Sequence, residues 1–300
     1  MTQRAEAMIE RLSFNTACLP NRTFEETVEL GRSLGFTGVE LLSFADYRHT
    51  QGDLAGFYFD RLTEEQKQGL AEQTAPFEHL SAHAPFWDIA PFSPNPGIRE
   101  ESRHQLLTAT QVLAELGGST ITTHVIPKKG YELDEYRQEI LDFYRELGEV
   151  AGECGVTVTI ETGWPVVAVE PFADLVHDID HPAVGANVDV GHLRGAMSAE
   201  EKSSSEAAAI YNDLLAAHLE SLSEKLYHMH LHDIRQEDFR DHRGVGRGFL
   251  DYPRLMGQIL RLDYQGLLVF ELEEPDDVAA LAESREFVTQ CLQETAANEG

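Results

Sequence analysis

Residues 156–192 read VTVTIETGWPVVAVEPFADLVHDIDHPAVGANVDVGH, and this stretch contains two β-rich runs with a helical segment between them. The runs at 156–161 and 183–189 are short and rich in Val, Thr or Ala, which is typical of strands. The segment at 171–179 has the apolar spacing of a helix. Each run ends on a carboxylate, Glu161 or Asp189. A strand, a helix and a second strand of these lengths predict one unit of a parallel sheet.

The same alternation continues on both sides of this unit. Six further strands are predicted, at 12–17, 38–42, 78–83, 119–124, 225–231 and 266–271. The remaining helices are predicted at 23–34, 63–75, 98–116, 133–152, 206–224, 251–261 and 276–293. Eight strand-and-helix repeats in 300 residues predict an α/β fold, a (β/α)8 TIM barrel, as one domain over residues 1–300.

A doubly wound open sheet is the competing fold. The turn after its first strand usually carries a glycine-rich GxGxxG sequence. Here that turn reads CLPNRTFEE, at 18–26, and has no such glycines. The sequence therefore favours the barrel.

The charge and the cysteines exclude several classes of protein. The 52 acidic residues outnumber the 23 basic ones, giving a net charge of -29, which repels polyphosphate backbones. We therefore expect no nucleic-acid partner, and we hypothesise a salt-tolerant host, with an ordinary acidic cytosolic protein as the alternative. The three cysteines form no CxxC pair, which argues against a disulfide framework or a cysteine zinc site.

The sequence predicts neither a membrane span nor an export signal. No run approaches the roughly 20 apolar residues that span a bilayer, and MTQRAEAMIERLSF lacks the apolar core of a signal peptide. We expect a cytoplasmic location and no membrane partner. A homo-oligomer is compatible with such a barrel, but the sequence shows no residue pattern that marks a subunit interface.

Imidazole and carboxylate side chains stand at or just beyond the predicted strand ends. They are His83, His124, Glu161, Asp189, His192, His230 and Glu271. All strand C-termini of a barrel surround one mouth, so these side chains are expected to converge there and to hold a divalent metal ion. Each residue taken alone has a structural explanation, as a satisfied polar group or a salt bridge. Their coincidence at one end favours a functional site.

Several motifs together indicate a family. They are GFTGVEL with Glu40, SAHAP with His83, IET with Glu161, DVGH with Asp189 and His192, HLHD with His230 and Asp233, HRGVGRG, and VFELE with Glu271. Over nearly its whole length the chain resembles the xylose isomerase-like barrels. That superfamily includes ketose epimerases, hydroxypyruvate isomerases, inosose dehydratases and the apurinic endonuclease IV group.

The resemblance implies a site built around one divalent ion, which could be Mn²⁺, Co²⁺, Mg²⁺ or Zn²⁺. The implied metal ligands are Glu161, Asp189, His230 and Glu271. Glu161 and Glu271 are also the implied pair for proton transfer. His232, which lies on the same strand face as His230, remains an alternative additional ligand.

Other residues are expected to contact the substrate, a sugar or polyol. The resemblance suggests His192 and Arg235 for substrate oxygens, and further candidates are His83, His124, Trp87 and Glu40. Phe86 and Trp87, on the long loop at 84–97, could pack against the apolar face of a sugar. His242, on the long connection at 232–251, is a candidate ligand for an extra metal ion.

The predicted function is a metal-dependent isomerase or epimerase of a sugar or sugar acid, working through an enediolate by two-carboxylate proton transfer. The alternative is a dehydratase or lyase, since the same groups can expel a β-hydroxyl as water. A third reading, apurinic-site DNA repair, would use most of a trinuclear zinc site, but Arg240 stands where that group has an aspartate and Asp241 lies one position away. A non-catalytic barrel that binds a metabolite is a fourth.

Overall fold

Eight parallel strands close into a barrel in the computed structural model, which describes residues 2–49 and 52–298. The described strands are β1 (Leu12–Asn15), β2 (Gly38–Leu42), β3 (Arg48–His49), β4 (Gly52–Asp53), β5 (His79–His83), β6 (Thr120–Thr123), β7 (Thr157–Glu161), β8 (Val184–Asp189), β9 (Leu226–Leu231) and β10 (Leu267–Phe270). Around the barrel the order is β1-β10-β9-β8-β7-β6-β5-β2, and β3 pairs with β4 in a separate antiparallel hairpin. All eight predicted runs are barrel strands, so the predicted fold is confirmed.

Helices follow the barrel strands and cover the outside of the sheet. Those described are α1 (Gln3–Ile9), α2 (Phe24–Ser33), α3 (Glu64–Thr74), α4 (Pro96–Glu115), α5 (Leu133–Cys154), α6 (Val169–Ile179), α7 (Ala199–Lys202), α8 (Ala207–Leu222), α9 (Tyr252–Arg261) and α10 (Asp277–Asn298). The eight predicted helices are present, whereas α1, α7 and the β3–β4 hairpin were not predicted. None of the helices in the described part of the chain combines the length and apolar character needed to cross a bilayer.

Local sequence fixes where several helices begin and end. The hydroxyl of Thr23 accepts a hydrogen bond from the backbone N–H of Glu26, whose carboxylate accepts one from the backbone N–H of Thr23, so the two residues form a capping box at the start of α2. Thr63 and Gln66 repeat this arrangement at α3. Gly155 ends α5 with a φ of 74°, a left-handed conformation that glycine adopts without strain.

The register between strands places polar residues at matching levels inside the barrel. Glu40 of β2 lies beside Asn15 on one side and Ser81 on the other. Asp189 of β8 lies beside His230 of β9, and a register irregularity at 186–187 precedes this pair. Because parallel neighbours in register share a level, residues far apart in sequence meet in one layer.

The outer face of the sheet carries most of the apolar packing. Val158 and Ile160 of β7 are fully buried and alternate with Thr159 and Glu161. The hydroxyls of Thr159 and Thr122 lie 3.2 Å apart inside the barrel. Successive side chains of a strand point to opposite faces, so β7 gives apolar groups to the helices and polar groups to the interior.

Two glycines in helices provide a test of this packing. A Cβ at Gly31 of α2 would lie 2.1 Å from Cε1 of Phe14, a fully buried ring 5.2 Å from that of Phe36. We expect Gly31→Ala to lower the free energy of unfolding by about 1–3 kcal/mol, because the ring must move in a filled core. Denaturant unfolding followed by circular dichroism measures the change.

Gly69 of α3 is the matched control. A Cβ built there meets no atom of the described residues within 4 Å. Gly69→Ala should raise the free energy of unfolding by about 0.5–1 kcal/mol, since alanine favours a helix interior. Equal stabilisation by both substitutions would contradict the packing described for α2.

Candidate active site

Three carboxylates and one imidazole meet at the C-terminal rim of the barrel. Glu161 ends β7, Asp189 ends β8, His230 lies near the end of β9, and Glu271 directly follows β10. Nδ1 of His230 lies 2.9 Å from Oε2 of Glu271, 3.3 Å from Oε2 of Glu161 and 4.0 Å from Oδ2 of Asp189. The structure thus brings together the four residues expected to hold a metal ion.

The surroundings of His230 fit a cation. Its ring is fully buried, and neither ring nitrogen has a hydrogen-bond partner of good geometry among the described residues. Nδ1 instead faces carboxylate oxygens, and ligand atoms of Glu161, Asp189 and His230 lie within 4.8 Å of one another. Imidazole nitrogen with carboxylate oxygens is a donor set that divalent transition metals and Mg²⁺ accept.

Glu161 is the most heavily contacted of these carboxylates. Oε1 lies 3.0 Å from Nδ1 of His192, and Oε2 lies 3.3 Å from Nε2 of His83 and 3.5 Å from Nε2 of His124. The side-chain amide of Asn187 donates to Oε2 at 3.3 Å. Burial raises the pKa of Glu161, but the surrounding histidines outweigh it and hold the pKa well below its ordinary value. This carboxylate is therefore ionised.

Asp189 is held by its own loop and by His232. Oδ1 accepts the backbone N–H groups of Gly191 and His192 at 2.8 and 3.0 Å. Nε2 of His232 lies 2.9 Å from the same oxygen. Because Nδ1 of His232 accepts the backbone N–H of His242, its proton sits on Nε2 and points at Asp189. His232 thus orients Asp189, an arrangement that does not favour it as a direct metal ligand.

The three histidines around Glu161 differ in protonation. Nδ1 of His83 donates to the carbonyl of Ala84 at 2.9 Å, which leaves Nε2 facing Nε2 of His124 at 3.3 Å. Burial lowers the pKa of His124 to about 4. Burial would also lower the pKa of His192, but Asp189 and Glu161 prevail and raise it to about 9. Burial would lower the pKa of His83 too, but Glu161 outweighs it and raises that pKa above its ordinary value. His124 can therefore present a lone pair, while His192 presents a proton.

His242 lies on the other side of the rim. Its ring stacks on that of His232 with centroids 4.3 Å apart, and Nε2 lies 3.8 Å from Glu271. Ligand atoms of Asp189, His192 and His242 lie within 4.8 Å of one another, as do those of a second group formed by His83, His124 and Glu161. The rim therefore offers overlapping donor groups, and the number of ions remains a prediction.

A pocket opens directly above these groups. Its polar wall consists of His83, His124, Glu161, His192, His242, Glu271 and Glu273. The pocket is also lined by Phe44, Phe86 and Trp87, whose rings contact one another with centroids 4.5–5.7 Å apart. A pocket lined by convergent polar groups and by aromatic rings suits a small polyhydroxylated ligand.

Two of the expected substrate contacts lie elsewhere. Glu40 is fully buried in the middle of β2, beneath the pocket, where it contacts other side chains of the barrel interior. Arg235 forms a two-point ion pair with Asp238, at 2.8 and 2.5 Å, and its side chain is 44% exposed outside the pocket. Arg235 and Asp238 are three residues apart in the sequence, a spacing that favours a local ion pair over a contact in the pocket.

Some residues of the site were not singled out from the sequence. Glu273 and Phe44 line the pocket, and Asn187 contacts Glu161. Glu273 and Phe44 each stand two or three residues beyond a strand end, which is the same signal that identified Glu271. Asn187 lies inside β8, where only the three-dimensional register shows its position.

A sequence profile described as "Xylose isomerase-like TIM barrel" matches residues 28–291, which is most of the chain. The chain belongs to this family.

One relative of this xylose isomerase-like barrel is "Uncharacterized protein MJ1311" of Methanocaldococcus jannaschii, 25% identical over 226 residues, which cover 71% of this chain and 70% of the relative. Solved structures are similar over nearly their whole length. A D-tagatose 3-epimerase-like protein has a TM-score of 0.74 at 18% identity, covering 97% of this chain and 100% of that chain. Escherichia coli 3-keto-D-glucoside 4-epimerase, YcjR, has a TM-score of 0.70 at 19% identity, covering 94% and 99%.

A third similar structure is the IOLI protein with a binding zinc atom, with a TM-score of 0.67 at 15% identity, covering 96% of this chain and 98% of that chain. At these identities the likeness is one of fold.

In this family member, the HRGVGRG loop that carries His242 is anchored by Asp233. Oδ1 accepts the backbone N–H groups of Ile234 and Leu250 at 2.8 and 3.1 Å, and Oδ2 accepts that of Gly246 at 3.0 Å. The backbones of Asp233 and Arg243 also pair with each other. One buried carboxylate therefore fixes the start and the end of the connection after β9.

We expect Asp233→Ala to destabilise this loop before the barrel unfolds. Each backbone donor left buried without a partner costs about 1–3 kcal/mol, while Asp233→Asn retains one acceptor oxygen and should lose less. Limited trypsin digestion monitored by mass spectrometry should show faster cleavage after Arg235 and Arg240 in the alanine variant. Unchanged cleavage rates would show that other contacts hold the loop.

Proposed function

We propose that the protein is a divalent-metal-dependent isomerase or epimerase that acts on a sugar or sugar acid by proton transfer between carbon and two carboxylates, Glu161 and Glu271. The observation that carries this proposal is the approach of both carboxylates to Nδ1 of His230, at 3.3 and 2.9 Å. They come from β7 and from the end of β10, with two strands between them. Two carboxylic acids that approach the same position from different strands can act as a pair, in which one removes a proton from a substrate and the other returns one.

Glu161, Asp189, His230 and Glu271 would hold the metal ion. When bound, a divalent ion supplies Lewis acidity, which stabilises the negative charge that develops on sugar oxygens as a proton leaves the adjacent carbon. The zinc atom in the IOLI structure, a protein of the same fold, supports this proposal. Mn²⁺, Co²⁺, Mg²⁺ and Zn²⁺ are all compatible with these donors.

The protein side chains have separate tasks in this proposal. One of the two carboxylates, in its ionised form, removes the proton, and the other, in its protonated form, returns one to the carbon; exchange with solvent water restores both groups after the reaction. His192, which is protonated, donates to a substrate oxygen, and His83 and His124 also line the pocket, beside Phe86. Trp87 packs with Phe86 against the apolar face of the ligand and keeps water from the reacting carbon.

The chemistry of proteins with this fold is consistent with the proposal. A D-tagatose 3-epimerase-like protein and 3-keto-D-glucoside 4-epimerase are among the similar structures. Such epimerisations require a proton to leave and return at a sugar carbon. The two-carboxylate geometry of this chain supplies the groups for that step.

A second candidate, cleavage of DNA at abasic sites, is favoured by the overlapping donor groups at the rim. Two observations oppose it. Asp241 pairs with Arg194 at 2.8 Å, and Arg240 lies 3.7 Å from Glu273, so cationic side chains stand beside the donor group that contains His242. The net charge of -29 also repels a phosphodiester backbone. We therefore propose sugar chemistry.

Loss of either acid should abolish proton transfer. We expect Glu161→Gln and Glu271→Gln each to lower turnover by about 10²- to 10⁴-fold with the fold retained, because a neutral amide cannot accept the proton. The assay incubates the metal-loaded protein with ketoses, aldoses and inososes in deuterated water and follows deuterium in recovered sugar by NMR.

The matched control is Glu149→Gln, since Glu149 is exposed on α5, far from the rim. It should behave as the wild type. Near-normal turnover in both Glu161→Gln and Glu271→Gln would contradict the assignment of these residues to proton transfer. A product lighter by one water would identify a lyase, and cleavage of an abasic oligonucleotide by the same preparation would favour the repair reading.

Removal of the metal ion should also abolish activity. Exhaustive treatment with EDTA should reduce turnover to background, and Mn²⁺, Co²⁺ or Mg²⁺ should restore it, because the developing oxygen charge otherwise has no counter-ion. Turnover before and after dialysis, with metal content measured by mass spectrometry, checks this. Full activity in protein shown to be free of metal would contradict the proposed role.

A further inference from the structure

His230 lies between two sets of carboxylates. Its Nδ1 faces the rim, where Glu271 and Glu161 approach to 2.9 and 3.3 Å. Its Nε2 faces inward and lies 3.1 Å from Oε1 of Glu40, which belongs to a different layer of the barrel. Both residues are fully buried, so bulk solvent does little to screen this contact.

Four side chains contact the carboxylate of Glu40 and hold it in place. Oε1 accepts the amide of Asn15 at 2.9 Å, and Oε2 accepts the hydroxyl of Ser81 at 3.1 Å and lies 2.9 Å from Nε2 of His228. Together with His230 these are four contacts, two to each oxygen. A carboxylate with this many fixed contacts has a fixed orientation, and its Oε1 lies 3.1 Å from Nε2 of His230, within hydrogen-bond distance although the angle departs from that of a good hydrogen bond.

We propose that Glu40 is a positioning residue for the metal site: it accepts the Nε2 proton of His230 and thereby fixes the tautomer in which Nδ1 presents its lone pair to the cation. The inference rests on the metal site of the proposed function. A carboxylate on the far nitrogen of a metal-binding histidine fixes the ring and raises the basicity of the ligating nitrogen. Glu40 acts through His230 and contacts neither substrate nor metal.

The tautomer can be observed directly in the wild-type full chain. Protein labelled with ¹⁵N-histidine and loaded with Zn²⁺ should give long-range ¹H–¹⁵N correlations in which Nε2 of His230 carries a proton and Nδ1 is metal-bound. The spectrum of His230→Gln assigns the signals. A proton on Nδ1, or zinc on Nε2, would overturn the inference.

Metal affinity provides the second readout, independent of turnover. In titrations with Co²⁺ followed by visible absorption, Glu40→Gln should raise the dissociation constant by roughly 10- to 100-fold, since its amide group cannot accept from all of these donors. Ser81→Ala is the matched control, because it removes a donor to Oε2 and leaves the Oε1 contact with His230. It should bind Co²⁺ close to the wild-type value, and circular dichroism establishes that both variants fold.

The outcomes separate this inference from the proposed function. Wild-type protein that binds neither Co²⁺ nor Zn²⁺ would overturn both. Wild type and Glu40→Gln binding Co²⁺ equally well would overturn only the role of Glu40. Equal weakening in Glu40→Gln and Ser81→Ala would show a general effect of the buried layer and would also count against it. If Glu40→Gln does not fold, the histidine spectrum of the wild type decides.

Discussion

The mutual repulsion of the carboxylates of Glu161, Asp189 and Glu271 is the constraint around which the interior of this barrel is arranged. Glu161 and Asp189 are 3% and 0% exposed, so solvent does little to screen their charges. Each of the three has an imidazole nitrogen within 3.0 Å, from His192, His232 and His230 respectively. The histidines of the rim thus offset the cost of gathering acids in a space of low polarity. A bound cation would relieve the same repulsion more completely.

This arrangement determines where the stability of the fold comes from. Barrels of this class usually fill their interior with layers of branched apolar side chains. Here hydroxyls, an amide and carboxylates occupy inward positions, as the Thr122–Thr159 pair and the contacts of Glu40 show. The apolar contribution must therefore come mainly from the interface between sheet and helices, where Val158, Ile160 and their neighbours are fully buried.

The meeting of the residues at the strand ends could be predicted from the sequence, because closing a parallel sheet into a barrel brings the C-terminal ends of all its strands to one mouth. Once eight strands are assigned, Glu161, Asp189, His230 and Glu271 must share one mouth, and the structure places them there. Side-chain reach and pairing could not be predicted in the same way. Glu40 belongs to a motif but lies in mid-strand, below the pocket, and Arg235 is held by Asp238. The β3–β4 hairpin is too short to show a periodic pattern.

The register of β8 with β9 shifts between Ala186 and Asn187, and beyond that point the strand has no freedom to change its length. It sets Asn187 level with His228 and Asp189 level with His230. Side chains of a strand alternate between faces, so one residue added or deleted there would turn Asp189 towards the helices. Evolutionary novelty in such a scaffold is then confined to the connections above the rim. Loops can grow, shrink or exchange and so alter which molecules are accepted, without displacing the residues of the reactive centre beneath them.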